Sequence, residues 1–135
     1  MPAQPSATPS VQVFGRRDSR DTQKALRFFK ERRFQVQFAD VAVRAPAPGE
    51  LRRFADRFGE AALLDTDGRR FRDLGLAYMR FGPGEALARV LADPALLRLP
   101  LVRYGNALSI GSDEGTWKTW TAPPGDSGKR GEGRA

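Results

Sequence analysis

The order in which strand-like and helix-like patterns alternate constrains the fold of this chain more than any other feature. Residues 11–14 (VQVF) are mostly β-branched or aromatic and stop at Gly15, which predicts a strand. Residues 21–33 follow a helical period, and residues 34–41 alternate between apolar and polar side chains, which predicts a half-exposed second strand. A strand, a helix and a strand in this order predict a parallel pair joined by a right-handed crossover.

The first helix is predicted to be amphipathic and capped at its N-terminus. Asp18, Ser19 or Asp21 can act as the N-cap, because a short polar side chain there accepts a hydrogen bond from a free backbone N–H. Charged side chains occupy one helical face, and apolar side chains occupy the opposite face. The apolar face consists of Ala25, Leu26, Phe28 and Phe29.

Helical segments are predicted next. One helix begins at Pro48 and ends at Gly59, since proline suits the first turn of a helix and glycine suits the residue after its end. A second helix is predicted over residues 83–91. Asp93 and Pro94 follow it as an N-cap and first-turn pair, which predicts one more short helical turn.

The last part of the chain predicts a hairpin and a helix. Residues 100–104 and 107–110 are strand-like and flank the dipeptide Gly-Asn at 105–106, which predicts a β-hairpin. Residues 113–120 place two tryptophans three positions apart, which predicts a short C-terminal helix.

This order, β-α-β, helical insertion, β-β-α, predicts an α/β protein with a thioredoxin-like mixed four-stranded sheet. Pro100 heads the third strand, and the order places the loop after the first strand opposite this proline. From the similarity of this position to that of a proline in thioredoxin-like proteins, we predict that the Leu99-Pro100 peptide bond is cis, a state that only X-Pro bonds adopt at low cost.

A chain of 135 residues is long enough for one domain. We expect a folded unit at residues 11–121 between two disordered tails: residues 1–10, rich in Pro, Ser and Ala, and a basic, Gly-rich tail at residues 122–135. The sequence lacks the ~18 consecutive apolar residues of a membrane span and shows no signal-peptide pattern at its start. We therefore expect a cytoplasmic protein that does not bind a membrane.

The chain has no cysteine and no histidine. These absences exclude thiol redox chemistry, disulfides, Cys/His zinc sites and a Ser-His-Asp triad, and we expect no cofactor and no metal. The formal net charge of +7 would attract anionic partners. Because the excess is nearly all arginine in a chain also rich in Ala, Gly and Pro, we do not favour nucleic acid as the partner.

Five short blocks of the sequence resemble the arsenate-reductase-like (ArsC/Spx) family, whose members have a thioredoxin fold. Each block alone is a weak signal, and their order and spacing together carry the resemblance. The blocks are residues 13–15 (VFG) followed by 21–25, residues 35–40, residues 62–74 (ALLDTDGRRFRDL), residues 93–102 (DPALLRLPLV) and residues 110–114 (IGSDE).

The chain departs from this family where the family's chemistry lies. The resemblance places the family's nucleophilic cysteine at Ser19 and the second cysteine of the Spx-branch redox switch at Thr22. Reductases of the family carry an Arg-Pro pair at the head of the third strand, where this chain has Leu99 and Pro100. A serine hydroxyl ionises far above neutral pH and no histidine is present to take its proton, so Ser19 cannot take over the role of the thiolate.

The resemblance also matches Arg72 to a family arginine associated with oxyanion binding. Ser19, Arg20 and Arg72 are therefore our candidate anion-binding residues, with Arg16 and Arg17 nearby, since a helix N-terminus and guanidinium groups both attract anions. The alternatives are that Ser19 is only a helix cap and that the arginines form a solvated basic surface.

Other conspicuous residues are expected to be structural. Gly15 and Pro100 are expected to support the fold around the loop. Asp65 and Asp67 lie in Asp-Thr-Asp-Gly, whose turn chemistry explains them without catalysis or magnesium. Four aromatic residues could stack on bases, but we favour docking of the last helix as the role of the tryptophan pair. They are Trp117, Trp120, Tyr104 and Tyr78.

The resemblance and the missing thiols together predict a non-catalytic binding or regulatory protein. Members of the Spx branch are regulators that bind RNA polymerase, so the resemblance implies a protein partner, with RNA polymerase as the first candidate. The alternative is a divergent arsenate-reductase-like enzyme that uses an external thiol and binds an oxyanion through Arg72 and residues 16–20. Nucleic-acid binding through the basic surface is a third hypothesis, which we favour least.

Overall fold

The computed structural model describes residues 9–122, and most of the two predicted tails, residues 1–8 and 123–135, lies outside this range. One sheet contains four strands in the order β2-β1-β3-β4. β1 is parallel to β2 and antiparallel to β3, and β3 is antiparallel to β4, which confirms the predicted mixed sheet. The strands are β1 (Ser10–Gly15), β2 (Gln35–Asp40), β3 (Leu101–Tyr104) and β4 (Ala107–Ile110).

Five α-helices accompany the sheet within the described part of the chain. They are α1 (Arg20–Glu31), α2 (Pro48–Phe58), α3 (Arg69–Asp73), α4 (Glu85–Ala92) and α5 (Glu114–Thr121). Short 3₁₀ turns occur at Glu60–Leu63, Leu76–Tyr78 and Pro94–Leu96. All the predicted helices are present within a few residues of their expected bounds, whereas α3 and the first two 3₁₀ turns were not predicted.

α1 and α5 pack on one face of the sheet and form an aromatic layer. Trp117 of α5 is fully buried, and its indole N–H donates to Ser109 Oγ at 2.9 Å, so the one polar atom of the indole ring is satisfied. Its ring lies against two phenylalanines of α1 with centroid distances of 5.5 and 5.6 Å. The layer consists of Val11, Val13, Ala25, Phe28, Phe29, Val102 and Trp117.

The predicted docking of the last helix by its tryptophans is confirmed. Trp120 stacks on Phe29 at 6.3 Å and lies 5.8 Å from the ring of Tyr104. Tyr78 is not part of this layer. It lies in the helical insertion between β2 and β3 and is 93% exposed.

The helical insertion between β2 and β3 covers the opposite face of the sheet. Successive strand residues point to opposite faces, so Val13 faces the aromatic layer and Phe14 faces the insertion. Phe14 packs edge-to-face on Phe54 of α2, with a centroid distance of 6.4 Å. The rest of this second core is mostly aliphatic and includes Leu51, Leu63, Leu76, Val90, Leu96 and Leu101.

The predicted hairpin and the predicted turn chemistry are confirmed at the β3–β4 connection. Tyr104 pairs with Ala107, and only two residues connect the strands. Gly105 has a φ of 61°, which a glycine adopts without steric cost. Within residues 9–122, no helix combines the length and the apolar character needed to cross a membrane.

Candidate functional site

A cavity of about 520 Å³ lies next to the C-terminal end of β1, where four segments of the chain meet. The first segment is the β1–α1 loop, which contributes Arg16 and Ser19. The second runs from Asp65 through α3, the third is residues 95–99 before β3, and the fourth is residues 111–112 after β4. The loop after β1 is thus opposite the head of β3, as the sequence predicted.

On the helix side of the cavity, Ser19 is the N-cap of α1. Its backbone is extended, and its Oγ accepts a hydrogen bond from the backbone N–H of Thr22 at 3.2 Å. Thr22 is completely buried, and its Oγ1 accepts a long hydrogen bond of 3.4 Å from the N–H of Arg16. The two positions that the sequence resemblance assigns to cysteines therefore hold hydroxyl groups that accept hydrogen bonds from the backbone.

Gly15 makes this arrangement possible. A Cβ atom added to Gly15 would overlap Oγ1 and Cγ2 of Thr22 and would lie 2.9 Å from its Cβ. Because Thr22 is buried and β-branched, it has little freedom to move away. The end of β1 can approach the first turn of α1 this closely only because residue 15 is glycine.

The insertion side of the cavity is held by two stretches that run antiparallel to each other. Leu64 and Leu97 form an isolated β-bridge. The N–H of Asp65 donates to the carbonyl of Leu96 at 2.9 Å, and the N–H of Arg98 donates to the carbonyl of Leu63 at 2.8 Å. These bonds fix the backbone of residue 98 next to the turn that precedes α3.

The side chain of Arg98, which lines the cavity, packs directly against Gly111. Gly111 has a φ of 77°, and a Cβ added there would lie 3.4 Å from Cδ of Arg98. The N–H of Gly111 donates to the carbonyl of Pro100 at 2.8 Å, which links the end of β4 to the head of β3. The Leu99-Pro100 peptide bond is cis, as predicted.

The cavity is lined by equal numbers of cationic and anionic side chains, but they are not equally engaged. Nε of Arg70 lies 2.7 Å from Asp93, and Nε of Arg16 lies 2.9 Å from Asp18. Arg69 and Arg98 have no carboxylate within 4.0 Å in the part of the chain that the structure describes. The charged lining residues are Arg16, Arg69, Arg70, Arg98, Asp21, Asp65, Asp67 and Asp73.

Of the three candidate anion-binding residues, the structure places only Ser19 at the cavity. Neither Arg20 nor Arg72 lines it. Nη1 of Arg72 donates to the carbonyl of Asp67 at 2.8 Å. Arg72 is ~200° around the helix from Arg70, which does line the cavity, so α3 turns these two side chains to different sides.

Sequence reasoning missed Arg69 and Arg98 as cavity residues. Both lie inside blocks that carry the resemblance, and Arg98 directly precedes Leu99, the position at which the resemblance implies an arginine. Leu99 also lines the cavity.

The aspartates of the Asp-Thr-Asp-Gly sequence lie in a turn before α3, as their turn chemistry predicted. The N–H of Gly68 donates to the carbonyl of Asp65 at 3.0 Å. Among residues 9–122, the structure shows no group of three or more acidic side chains placed to hold a metal ion.

The sequence matches a known protein family, and the structure matches solved structures of other proteins. The family model of the ArsC family matches residues 14–120 of the sequence. The solved structure of the YFFB (PA3664) protein is similar with a TM-score of 0.76 and 20% identity, covering 83% of this chain and 99% of that one. No curated protein matches the sequence.

Two further solved structures show the same fold. SACOL0876 from Staphylococcus aureus COL is 22% identical with a TM-score of 0.67, covering 83% of this chain and 99% of its own. An arsenate reductase from Vibrio cholerae is 16% identical with a TM-score of 0.67, covering 76% of this chain and 90% of its own. At these identities, the likeness is one of fold.

Proposed function

We propose that this chain, which belongs to the ArsC family and contains no cysteine, is a non-catalytic protein that acts by binding. Its cavity holds an anionic group without reacting with it, and the protein as a whole binds a protein partner. In this proposal the chain is a pseudoenzyme on the scaffold of an arsenate-reductase-like protein.

The observation that carries the proposal is the state of Ser19. At the position that matches the family's nucleophile, the hydroxyl oxygen accepts a hydrogen bond from the N–H of Thr22 and caps α1. The chain contains no cysteine to replace the missing thiol and no histidine to deprotonate the hydroxyl. The side chain therefore has a structural role in the place where a reductase needs a nucleophile.

Anion binding is supported by the two arginines of the insertion side. Arg69 and Arg98 line the cavity without a carboxylate partner in residues 9–122, and the positive end of the α1 dipole lies beside Ser19. Four aspartates in the same lining oppose this attraction. We expect millimolar affinity for phosphate or sulfate, about 4 kcal/mol of binding free energy.

The protein partner is proposed by analogy with the Spx branch of the family. RNA polymerase is the first partner to test, and a cytoplasmic location belongs to the same proposal. This part of the proposal rests on the family alone.

An activity assay separates the proposal from the enzyme alternative. The purified protein is supplied with arsenate, glutathione and glutaredoxin, beside heat-inactivated protein and a Ser19→Ala variant. We expect the same background rate in all three samples. Steady turnover by the native protein above the heat-inactivated control would show an enzyme and overturn the proposal, and the Ser19→Ala sample would show whether Ser19 takes part.

A native pull-down tests the binding half of the proposal, with purified RNA polymerase as the direct probe. We expect a protein partner to stay bound at moderate salt. Binding that is lost steeply with salt and is competed by an oligonucleotide would instead indicate electrostatic nucleic-acid binding, in which each phosphate contact adds about 0.9 to the logarithmic salt slope.

A further inference from the structure

Exposed apolar side chains concentrate in one short stretch of the insertion. Five large apolar side chains are exposed among residues 9–122, and three of them lie between residues 74 and 79. Tyr78 is 93% exposed, Met79 44% and Leu74 41%. Single exposed apolar residues are ordinary, but a cluster of them marks a surface that contacts another molecule.

An arginine of α4 connects this stretch to the helix beside it. Nη2 of Arg89 lies 3.7 Å from Sδ of Met79, and its guanidinium lies 5.9 Å from the ring centre of Phe81. Arg80, between these two residues in sequence, is exposed. We call residues 78–81 together with Arg89 the Tyr78 patch.

Three carboxylates near the Tyr78 patch have partners other than the arginines of the patch. Glu60 accepts hydrogen bonds from the N–H groups of Gly84 and Leu87 at 2.9 and 3.2 Å, at the start of α4. Glu85 accepts a hydrogen bond of 2.6 Å from the N–H of Gly82. Asp93 lies 2.7 Å from Nε of Arg70.

The two arginines of the patch are correspondingly free. Within the described part of the chain, no carboxylate lies within 4.0 Å of Arg80 or Arg89. The patch therefore combines an exposed aromatic ring and a thioether with two arginines that form no ion pair among residues 9–122.

We infer that the Tyr78 patch is the docking surface for an acidic segment of the protein partner, one in which Asp or Glu residues flank aromatic or leucine side chains. This inference rests on the proposed function, whose partner it describes. Tyrosine, methionine and arginine are enriched at protein interfaces, and tyrosine and arginine supply much of the binding free energy there. Two arginines beside a thioether and aromatic rings match a peptide that carries both carboxylates and apolar side chains, whereas a nucleic-acid backbone would use the positive charges alone.

The test is a titration of the full-length protein in which its backbone amide chemical shifts are measured. The probe is a synthetic peptide in which Glu and Asp flank Phe and Leu. One control peptide has Lys in place of the acidic residues, and another has Ser in place of Phe and Leu. We expect shifts at residues 74–81 and 89 with the first peptide and not with the controls.

The variant for this test is Tyr78→Ser combined with Met79→Ser, which should weaken binding of the peptide by about tenfold. Val43→Ser is the matched control, because Val43 is 82% exposed and belongs to the β2–α2 connection. It should leave binding unchanged. Unchanged melting temperatures of all variants would show that they fold, as expected for exposed side chains.

Several results would overturn the inference. These are equal shifts with the Lys peptide or the Ser peptide, the same shifts with an oligonucleotide, and no localised shift at millimolar peptide. A pull-down keeps the two proposals apart. If the Tyr78→Ser/Met79→Ser protein still retains the partner at full strength, the docking surface is wrong while the proposed function stands. If the native protein binds the peptide but retains no partner, the proposed function fails and the surface stands.

Discussion

The two sides of the cavity use their polar groups in different ways. The helix wall is made by the β1–α1 loop and the start of α1, and the insertion wall is made by residues 65–73 and 95–99. On the helix wall, the hydroxyl of Ser19 accepts a hydrogen bond from a nearby backbone N–H group, and so does the hydroxyl of Thr22, which is buried in the first turn of α1. On the insertion wall, Arg69 and Arg98 have no carboxylate partner within residues 9–122.

The difference indicates that the helix wall contributes mainly to the stability of the fold and the insertion wall mainly to the binding of an anion. The hydroxyls of the helix wall stabilise the fold, because they accept hydrogen bonds from backbone N–H groups that would otherwise lack an acceptor. The insertion wall has Leu99 where the sequence resemblance implies an arginine, and it supplies Arg69 and Arg98 to the cavity. Changes in the helix wall should therefore lower stability, and changes in the insertion wall should lower anion affinity.

Gly15→Ala should have the largest effect on stability. The new Cβ would overlap the buried side chain of Thr22, and overpacking of this kind costs about 1–3 kcal/mol. Gly49→Ala in α2 is the matched control, since a Cβ there meets nothing within 4 Å and alanine favours a helix. Denaturant unfolding measures both. Equal stability of the two variants would contradict the tight contact between β1 and α1.

Ser19→Ala should cost about 1 kcal/mol of stability, because it removes the hydrogen bond to the N–H of Thr22. Asp113→Ala is a matched control at the N-cap of α5, where Asp113 accepts from Thr116 at 3.3 Å. Both variants should lower the unfolding midpoint by similar amounts. If Ser19→Ala left stability unchanged, Ser19 would not be the cap that the structure shows.

Adding back the thiol should produce only a small gain in activity. Ser19→Cys supplies a nucleophile, but the cavity has Leu99 at the position where the sequence resemblance implies an arginine. We expect Ser19→Cys alone to reduce arsenate barely above background and Ser19→Cys with Leu99→Arg to do better, with glutathione and glutaredoxin supplied. Equal rates for the two variants would show that position 99 does not matter.

Much of the fold could be predicted because its elements are marked by local chemistry. Pro48 and Gly59 mark the ends of α2, and the Gly-Asn pair at 105–106 marks the hairpin. α3 was missed because five residues are too few to show a helical period.

The cavity was less predictable than the fold. The cap at Ser19 follows from its place before α1, and the cis bond at Pro100 was predicted from the thioredoxin-like position of this proline at the head of β3. The identity of the cavity arginines depends instead on how α3 is rotated and on the bridge between Leu64 and Leu97. These are tertiary features, so the sequence pointed to Arg72 while the structure placed Arg69 and Arg98 at the cavity.

The most direct test of the account is a phosphate titration in which backbone amide chemical shifts are measured. The proteins compared are the native protein, Ser19→Ala and Arg69→Ala/Arg98→Ala. Arg52→Ala/Arg53→Ala removes the same charge from the exposed surface of α2 and serves as the control. The account predicts localised shifts at residues 15–22, 98 and 111 in the native protein, Ser19→Ala and the control, and about tenfold weaker binding in Arg69→Ala/Arg98→Ala. Full binding by Arg69→Ala/Arg98→Ala, or its loss in Ser19→Ala alone, would contradict the division of roles between the two walls.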